Sequence, residues 1–164
     1  MRNNSTNESL CLTSISDCSE EDRYETLWPN NEHIGIACAN ARSIVEKIDS
    51  LITLFEETGI RIALLTETLL TKKHCSAREM ADLTIGANIN FIRRDRNTRG
   101  GGVAIAYDPT KIRMNKFSSF DNNGTEIVCA AGNCLLTKRK IIAISVYLPP
   151  SISGNDLAGK IATL

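Results

Sequence analysis

The sequence predicts an α/β protein, in which a β-α-β opening runs on into a meander of antiparallel strands. That order gives a mixed sheet covered on one side by helices. Three observations carry the prediction. His33–Ala39 and Ile60–Leu65 are short apolar runs suited to buried strands. Between them, Ile44, Val45, Ile48, Leu51, Ile52 and Phe55 recur at helical spacing, with Glu46, Lys47, Asp49 and Glu56 on the opposite face. Beyond residue 102 the pattern turns to strand-like runs at Val103–Tyr107, Ile112–Phe117, Glu126–Leu136 and Lys140–Tyr147.

Each element has a local reason. Ser43 followed by Glu46 is a capping-box pattern that would open the first helix, and Gly59 is placed to stop it in the left-handed region. Ser76 with Glu79 repeats the pattern for a short helix ending near Leu83, and Ile89–Ile92 reads as a brief strand. Asp108-Pro109 and Asp121-Asn122-Asn123-Gly124 are turn chemistry, and Thr137-Lys138-Arg139 reads as a hairpin tip. Gly100-Gly101-Gly102 lets the backbone leave a loop and enter a strand at close quarters. No Lys-Ser or Lys-Thr follows these glycines, so they are not a phosphate cradle of the P-loop kind.

The domain division follows composition. Residues 1–31 are rich in Asn, Ser, Thr and acids and read as a disordered polar tail. Residues 32–150 form the folded domain, and 151–164 are a truncated end with weak periodicity. Nineteen Lys and Arg balance nineteen Asp and Glu among 164 residues, which excludes a protein that holds nucleic acid by bulk charge. Any such contact has to be local. No apolar run reaches the ~18 residues of a membrane helix, and the N-terminus lacks the cationic start and apolar stretch of a secretory signal. An intracellular chain with no membrane partner is expected. The six cysteines include no C-x-x-C pair and read as free thiols rather than a zinc site.

Asn40 and Glu67 each follow a predicted parallel strand, so a right-handed crossover brings both to one sheet edge. Ligands of open α/β sheets sit at that edge. An amide and a carboxylate there suit Mg²⁺, which takes few carboxylates and keeps its waters. The plain alternatives are a turn-capping Asn and an exposed Glu.

Four segments, "IACANARSIVEKIDSL", "IALLTETLL", "RRDRNTRGGGVAIAYDPTKI" and "IIAISVYLPP", occur in this order. Together they resemble the endonuclease/exonuclease/phosphatase superfamily, in particular the apurinic-endonuclease-like domain of non-LTR retrotransposons, from about His33 to Pro150. The resemblance implies a four-layer α/β sandwich, here incomplete, that hydrolyses phosphodiester bonds with Mg²⁺ or Mn²⁺. It implies a catalytic Asn40 near the scissile phosphate, Glu67 as metal ligand and a catalytic Tyr147 that stabilises the attacked phosphate. Asn40-Ala41-Arg42-Ser43 matches the retrotransposon pattern, where other members carry an acid in place of Arg42. DNA as partner, a reverse transcriptase domain in the same polyprotein and a nuclear location follow from that branch.

The sequence also departs from the family. The superfamily's "GDxN" motif and late Asp–His pair are not found, since Gly154-Asn155-Asp156-Leu157 has the wrong order and the two histidines are His33 and His74. Without the group that activates water, this 164-residue chain is expected to be inactive. Arg93, Arg94, Arg96 and Arg99, set against Asp95, leave a local charge of plus three that can grip DNA phosphates or simply be solvated. The alternative function is therefore a non-catalytic nucleic-acid-binding or interaction fragment that uses this loop.

Overall fold

The structure, a computed structural model, describes residues 34–149 apart from 72–74, 97–99 and 123. The polar tail, the end segment, Arg99 and both histidines lie outside the described residues. Among the described residues, seven strands and two α-helices follow in the order β1 (Gly35–Asn40), α1 (Ile48–Glu57), β2 (Ile60–Thr66), α2 (Ala77–Leu83), β3 (Asn90–Arg94), β4 (Val103–Tyr107), β5 (Ile112–Asn122), β6 (Thr125–Cys134) and β7 (Lys140–Tyr147).

The strands form two sheets. The first is mixed, in the order β1-β2-β4-β3, with β1 and β2 parallel across the helical connection and the other pairs antiparallel. The second is an antiparallel meander, β5-β6-β7. This is the predicted α/β class, with the strands divided between two facing sheets.

Alternation along the strands builds two cores. Ala104 and Ala106 of β4, with Ala37, Ala63 and Leu65, face α1 and meet Ile44, Ile48, Leu51 and Phe55. Val103, Ile105 and Tyr107 of the same strand face the second sheet and meet Ile112, Met114, Val128, Ala130 and Ala143. Strand β4 is thus buried on both faces and reads as an unbroken apolar run, Val-Ala-Ile-Ala-Tyr, where an edge strand would alternate. Three of the expected four layers are present among the described residues: α1, the mixed sheet and the meander.

Two local expectations are corrected. The Ser43–Glu46 box does not form, because Ser43 takes a positive φ of 95°. The chain enters α1 through a 3₁₀ turn at Val45–Lys47, with no side-chain cap on either helical segment. The reason is tertiary. The N–H groups of Ala41, Ser43 and Ile44 donate to the carbonyls of Thr66, Glu67 and Thr68, so donors a cap would satisfy already have partners. At the other end, α1 stops on Thr58 in extended conformation and not on a left-handed Gly59. There the Thr58 hydroxyl donates to Leu54 O, and Arg61 Nη1 donates to Phe55 O at 2.6 Å and Thr58 O at 2.9 Å, closing the open carbonyls.

Candidate active site

The parallel β1/β2 pair brings Asn40 opposite Thr66, one residue before Glu67. Past the strand ends the two segments stay bonded, with Ser43 N–H donating to Glu67 O at 3.1 Å and Ile44 N–H to Thr68 O at 3.1 Å. On its other side the same segment meets the glycine loop. Thr68 N–H donates to Gly102 O at 3.2 Å and Leu69 N–H to Gly101 O at 2.9 Å. Held from both sides, Glu67 and Leu69 adopt positive φ values of 49° and 54°, a conformation costly for residues with a Cβ. Such strain persists only where the surroundings over-determine it, and it concentrates at functional sites.

The glycines make the approach possible. Gly101 and Gly102 have φ of 78° and 92°, and a Cβ on Gly102 would collide with the buried Thr68 Oγ1. A Cβ on Gly101 would come 2.8 Å from Glu126 Oε2.

The second sheet closes over this edge. Ser145, buried in β7, donates from Oγ to Leu65 O of β2 at 2.9 Å. Two residues further along β7 on the same face lies Tyr147, paired in register with Glu126 of β6. Glu126 accepts the Gly102 N–H at 2.5 Å, which places the β7 end beside the loop that braces Glu67–Leu69. Asn40, Glu67 and Tyr147 thus belong to elements that converge at one end of the sandwich. A groove of about 420 Å³ opens beside these strand ends, lined by Cys38, Asn40, Leu64, Thr66, Ser145 and Val146 among others; of the three residues Asn40 lines it, and Glu67 and Tyr147 do not.

The side chains have distinct settings. Asn40 is exposed, and its Oδ1 accepts the Arg42 N–H at 3.2 Å, the turn-capping contact expected of an Asn after a strand. Its amide N–H₂ points no bond at that turn and is a donor available at the groove. Glu67 and Tyr147 are half-buried. Burial pushes the Cys38 thiol above its ordinary value, so this groove residue stays a neutral thiol.

Among the described residues of the arginine segment, Arg93 and Arg96 are bound into the protein. Arg93 Nη2 donates to Cys75 O at 2.5 Å and pairs with Asp95 at 2.9 Å. Arg96 Nε pairs with Glu126 Oε1 at 2.8 Å. Arg94 is half-buried as well. Nearby, burial first and the Arg94 charge second push the Lys116 ammonium below its ordinary value.

Among the described residues no group of three or more His, Cys, Asp or Glu side chains stands ready to hold a metal. Glu67, a single half-buried carboxylate one residue past the strand partner of Asn40, fits Mg²⁺ as a sole protein ligand, since that ion binds through one or two carboxylates and completes its shell with water and phosphate oxygen. No described helix is long and apolar enough to cross a membrane.

Glu126 is the residue that sequence reading missed. Its signal was present: one carboxylate in the run Thr-Glu-Ile-Val-Cys-Ala-Ala, at the inward parity of Val128 and Ala130. At 1% exposure it has to be paired.

No family model matches the sequence, and no curated protein does. Solved structures resemble it in fold. A humanized TDP2 of D. rerio aligns over 77% of this chain at 12% identity with a TM-score of 0.47. The catalytic domain of human Nocturnin, with bound sulfate, aligns over 73% at 10% identity and 0.49. NExo from Neisseria, a 3′ phosphatase bound to a product DNA hairpin, aligns over 65% at 15% identity and 0.42. The chain spans 54%, 51% and 39% of those structures, roughly half their length.

Proposed function

We propose that this chain is the N-terminal portion of a divalent-metal phosphodiester hydrolase of the endonuclease/exonuclease/phosphatase type, acting on DNA and derived from the non-LTR retrotransposon branch. The observation that supports it is that the ends of β1, β2 and β7, where Asn40, Glu67 and Tyr147 stand, lie at one end of the sandwich. The reverse transcriptase partner and the nuclear setting go with that branch of the resemblance.

Glu67 would hold Mg²⁺ or Mn²⁺, which would supply charge withdrawal from a phosphate oxygen and neutralisation of the leaving alkoxide. The rest is the work of this chain's own groups. Asn40, its Oδ1 turned to Arg42, offers its amide N–H₂ to a phosphate oxygen. Tyr147 offers a phenol O–H where negative charge grows. Neither histidine of these 164 residues directly follows an aspartate, so the reading assigns to these residues the binding of a phosphodiester and not the activation of water.

The reading is tested by fluorescence titration of a DNA duplex with and without Mg²⁺, beside a plasmid-nicking assay. Mg²⁺-dependent binding that Glu67→Gln removes supports it. Binding indifferent to both Mg²⁺ and Glu67→Gln overturns it. Robust nicking abolished by Glu67→Ala keeps the hydrolase and overturns the inactivity. The alternative, a DNA-binding fragment working through Arg93, Arg94, Arg96 and Arg99, requires Arg93 and Arg96 to leave Asp95 and Glu126. It predicts salt-sensitive binding that ignores Mg²⁺.

A further inference from the structure

A buried carboxylate is a poor choice for stability alone, because desolvating the charge offsets most of what its partner returns. Glu126 is nevertheless 1% exposed and held on both oxygens, one by a hydrogen bond and one by an ion pair. One oxygen accepts the Gly102 N–H at 2.5 Å, and the other faces Arg96 Nε at 2.8 Å. The bonded segment Gly101–Gly102 is the one whose carbonyls brace Thr68 and Leu69, directly after the strained Glu67. Across the β6/β7 ladder, Glu126 is the register partner of Tyr147 on the same inward face. Directly opposed residues of an antiparallel pair have neighbouring side chains. Arg96 reaches further, with its guanidinium beside Gly101 and Gly124, and a Cβ on Gly124 would also come 3.3 Å from Pro149, two residues past Tyr147. One ion pair therefore touches both the support of Glu67 and the strand end that carries Tyr147.

We propose that Glu126, held by Arg96, is a positioning residue that fixes the Glu67 backbone and the Tyr147 end of β7 relative to one another. The inference rests on Glu67 being the metal ligand proposed above. Glu126 does not itself bind metal or substrate, since its oxygens face the loop and the arginine. It sets the backbone that presents the ligand, as outer-shell partners of metal sites do, and their loss costs about 10- to 100-fold in metal affinity.

The test measures Mn²⁺ affinity of the full chain by electron paramagnetic resonance, which needs no turnover, with circular dichroism to confirm folding. Glu126→Gln keeps an acceptor for Gly102 but loses the charge facing Arg96, and Glu126→Ala loses both. The expected result is Mn²⁺ binding weakened about tenfold or more in Glu126→Ala, less in Glu126→Gln, and weakened also in Arg96→Gln. A merely structural role would lower the melting temperature and leave Mn²⁺ affinity in the folded protein untouched. Affinity within twofold of wild type in the folded Gln variants at 96 and 126 overturns the proposal, whether or not Glu126→Ala folds. If Glu67→Gln leaves Mn²⁺ binding unchanged, the metal reading itself has failed, and the positioning role falls with it. That failure differs from loss through Glu67 alone, which overturns only the positioning role.

Discussion

At the scale of single residues, the site is built from conformations the sequence only half announces. The triglycine is visible as punctuation, but nothing in the string says which neighbour forbids a side chain there. The structure supplies that neighbour: Thr68 Oγ1, buried, without a hydrogen-bond partner, and in the path of any Cβ on Gly102. Gly102→Ala therefore meets both a positive φ of 92° and a collision. We expect it to cost about 2–4 kcal/mol, since left-handed strain alone accounts for 1–3, measured by urea unfolding. A cost under about 0.5 kcal/mol, the range of an ordinary surface change, would show that the loop relaxes freely. Thr68→Val keeps the shape and removes the orphaned hydroxyl. It is expected to be neutral or stabilising by up to about 1–2 kcal/mol, because a buried polar group without a partner is a net cost. Glu126 was missed for the opposite reason. A charged residue in a strand usually faces water, and its parity with Val128 and Ala130 was the one sign in the sequence that this one faces inward.

At the scale of elements, the two helices teach different lessons from one motif. Both Ser43/Glu46 and Ser76/Glu79 match the capping box in sequence, yet only the second forms it. Ser76 Oγ accepts the Glu79 N–H at 3.2 Å, and the Glu79 carboxylate accepts the Ser76 N–H at 2.5 Å. Helix α2 has no strand feeding carbonyls to its first turn, whereas α1 takes its partners from Glu67 and Thr68. Local chemistry decides where tertiary bonds do not. Ser76→Ala is accordingly expected to cost about 1 kcal/mol and Ser43→Ala much less, compared by thermal melting. The same box makes α2 sensitive to acid. The hydrogen bonds from Ser76 hold the Glu79 carboxyl below its ordinary value. A group with a lowered native pKa contributes stability that is present above its unfolded value of about 4.3. That contribution is lost as pH falls through the lower native value. Exchange of the Ser76 amide hydrogen, corrected for its intrinsic rate, should lose protection over that interval in wild type. Glu79→Gln should show no such step, and a step that persists would place its origin elsewhere.

At the scale of the whole molecule, the unbroken apolar run of β4, the β-α-β opening and the turn residues made an α/β fold with a mixed sheet legible before any coordinates, and the family resemblance implied the sandwich. What composition could not reveal is how the two sheets are held in register, because that depends on contacts eighty residues apart. The Ser145 Oγ bond to Leu65 O is such a contact: it is buried and crosses from the meander to the mixed sheet. It also joins β7 two residues before Tyr147 to β2 two residues before Glu67. Removing its hydroxyl should therefore do two separable things. Ser145→Ala loses one buried hydrogen bond, worth about 1 kcal/mol, and should lower the urea midpoint while leaving the denaturant slope unchanged. If the bond also aligns the groove, the variant should weaken Mg²⁺-dependent DNA binding at urea-free conditions where it is fully folded. Glu67→Gln should then add little further loss, since coupled sites are not additive. A stability loss with unaltered DNA binding would confine Ser145 to holding the sheets together. The alignment of the two halves of the site would then rest with Glu126 and Arg96.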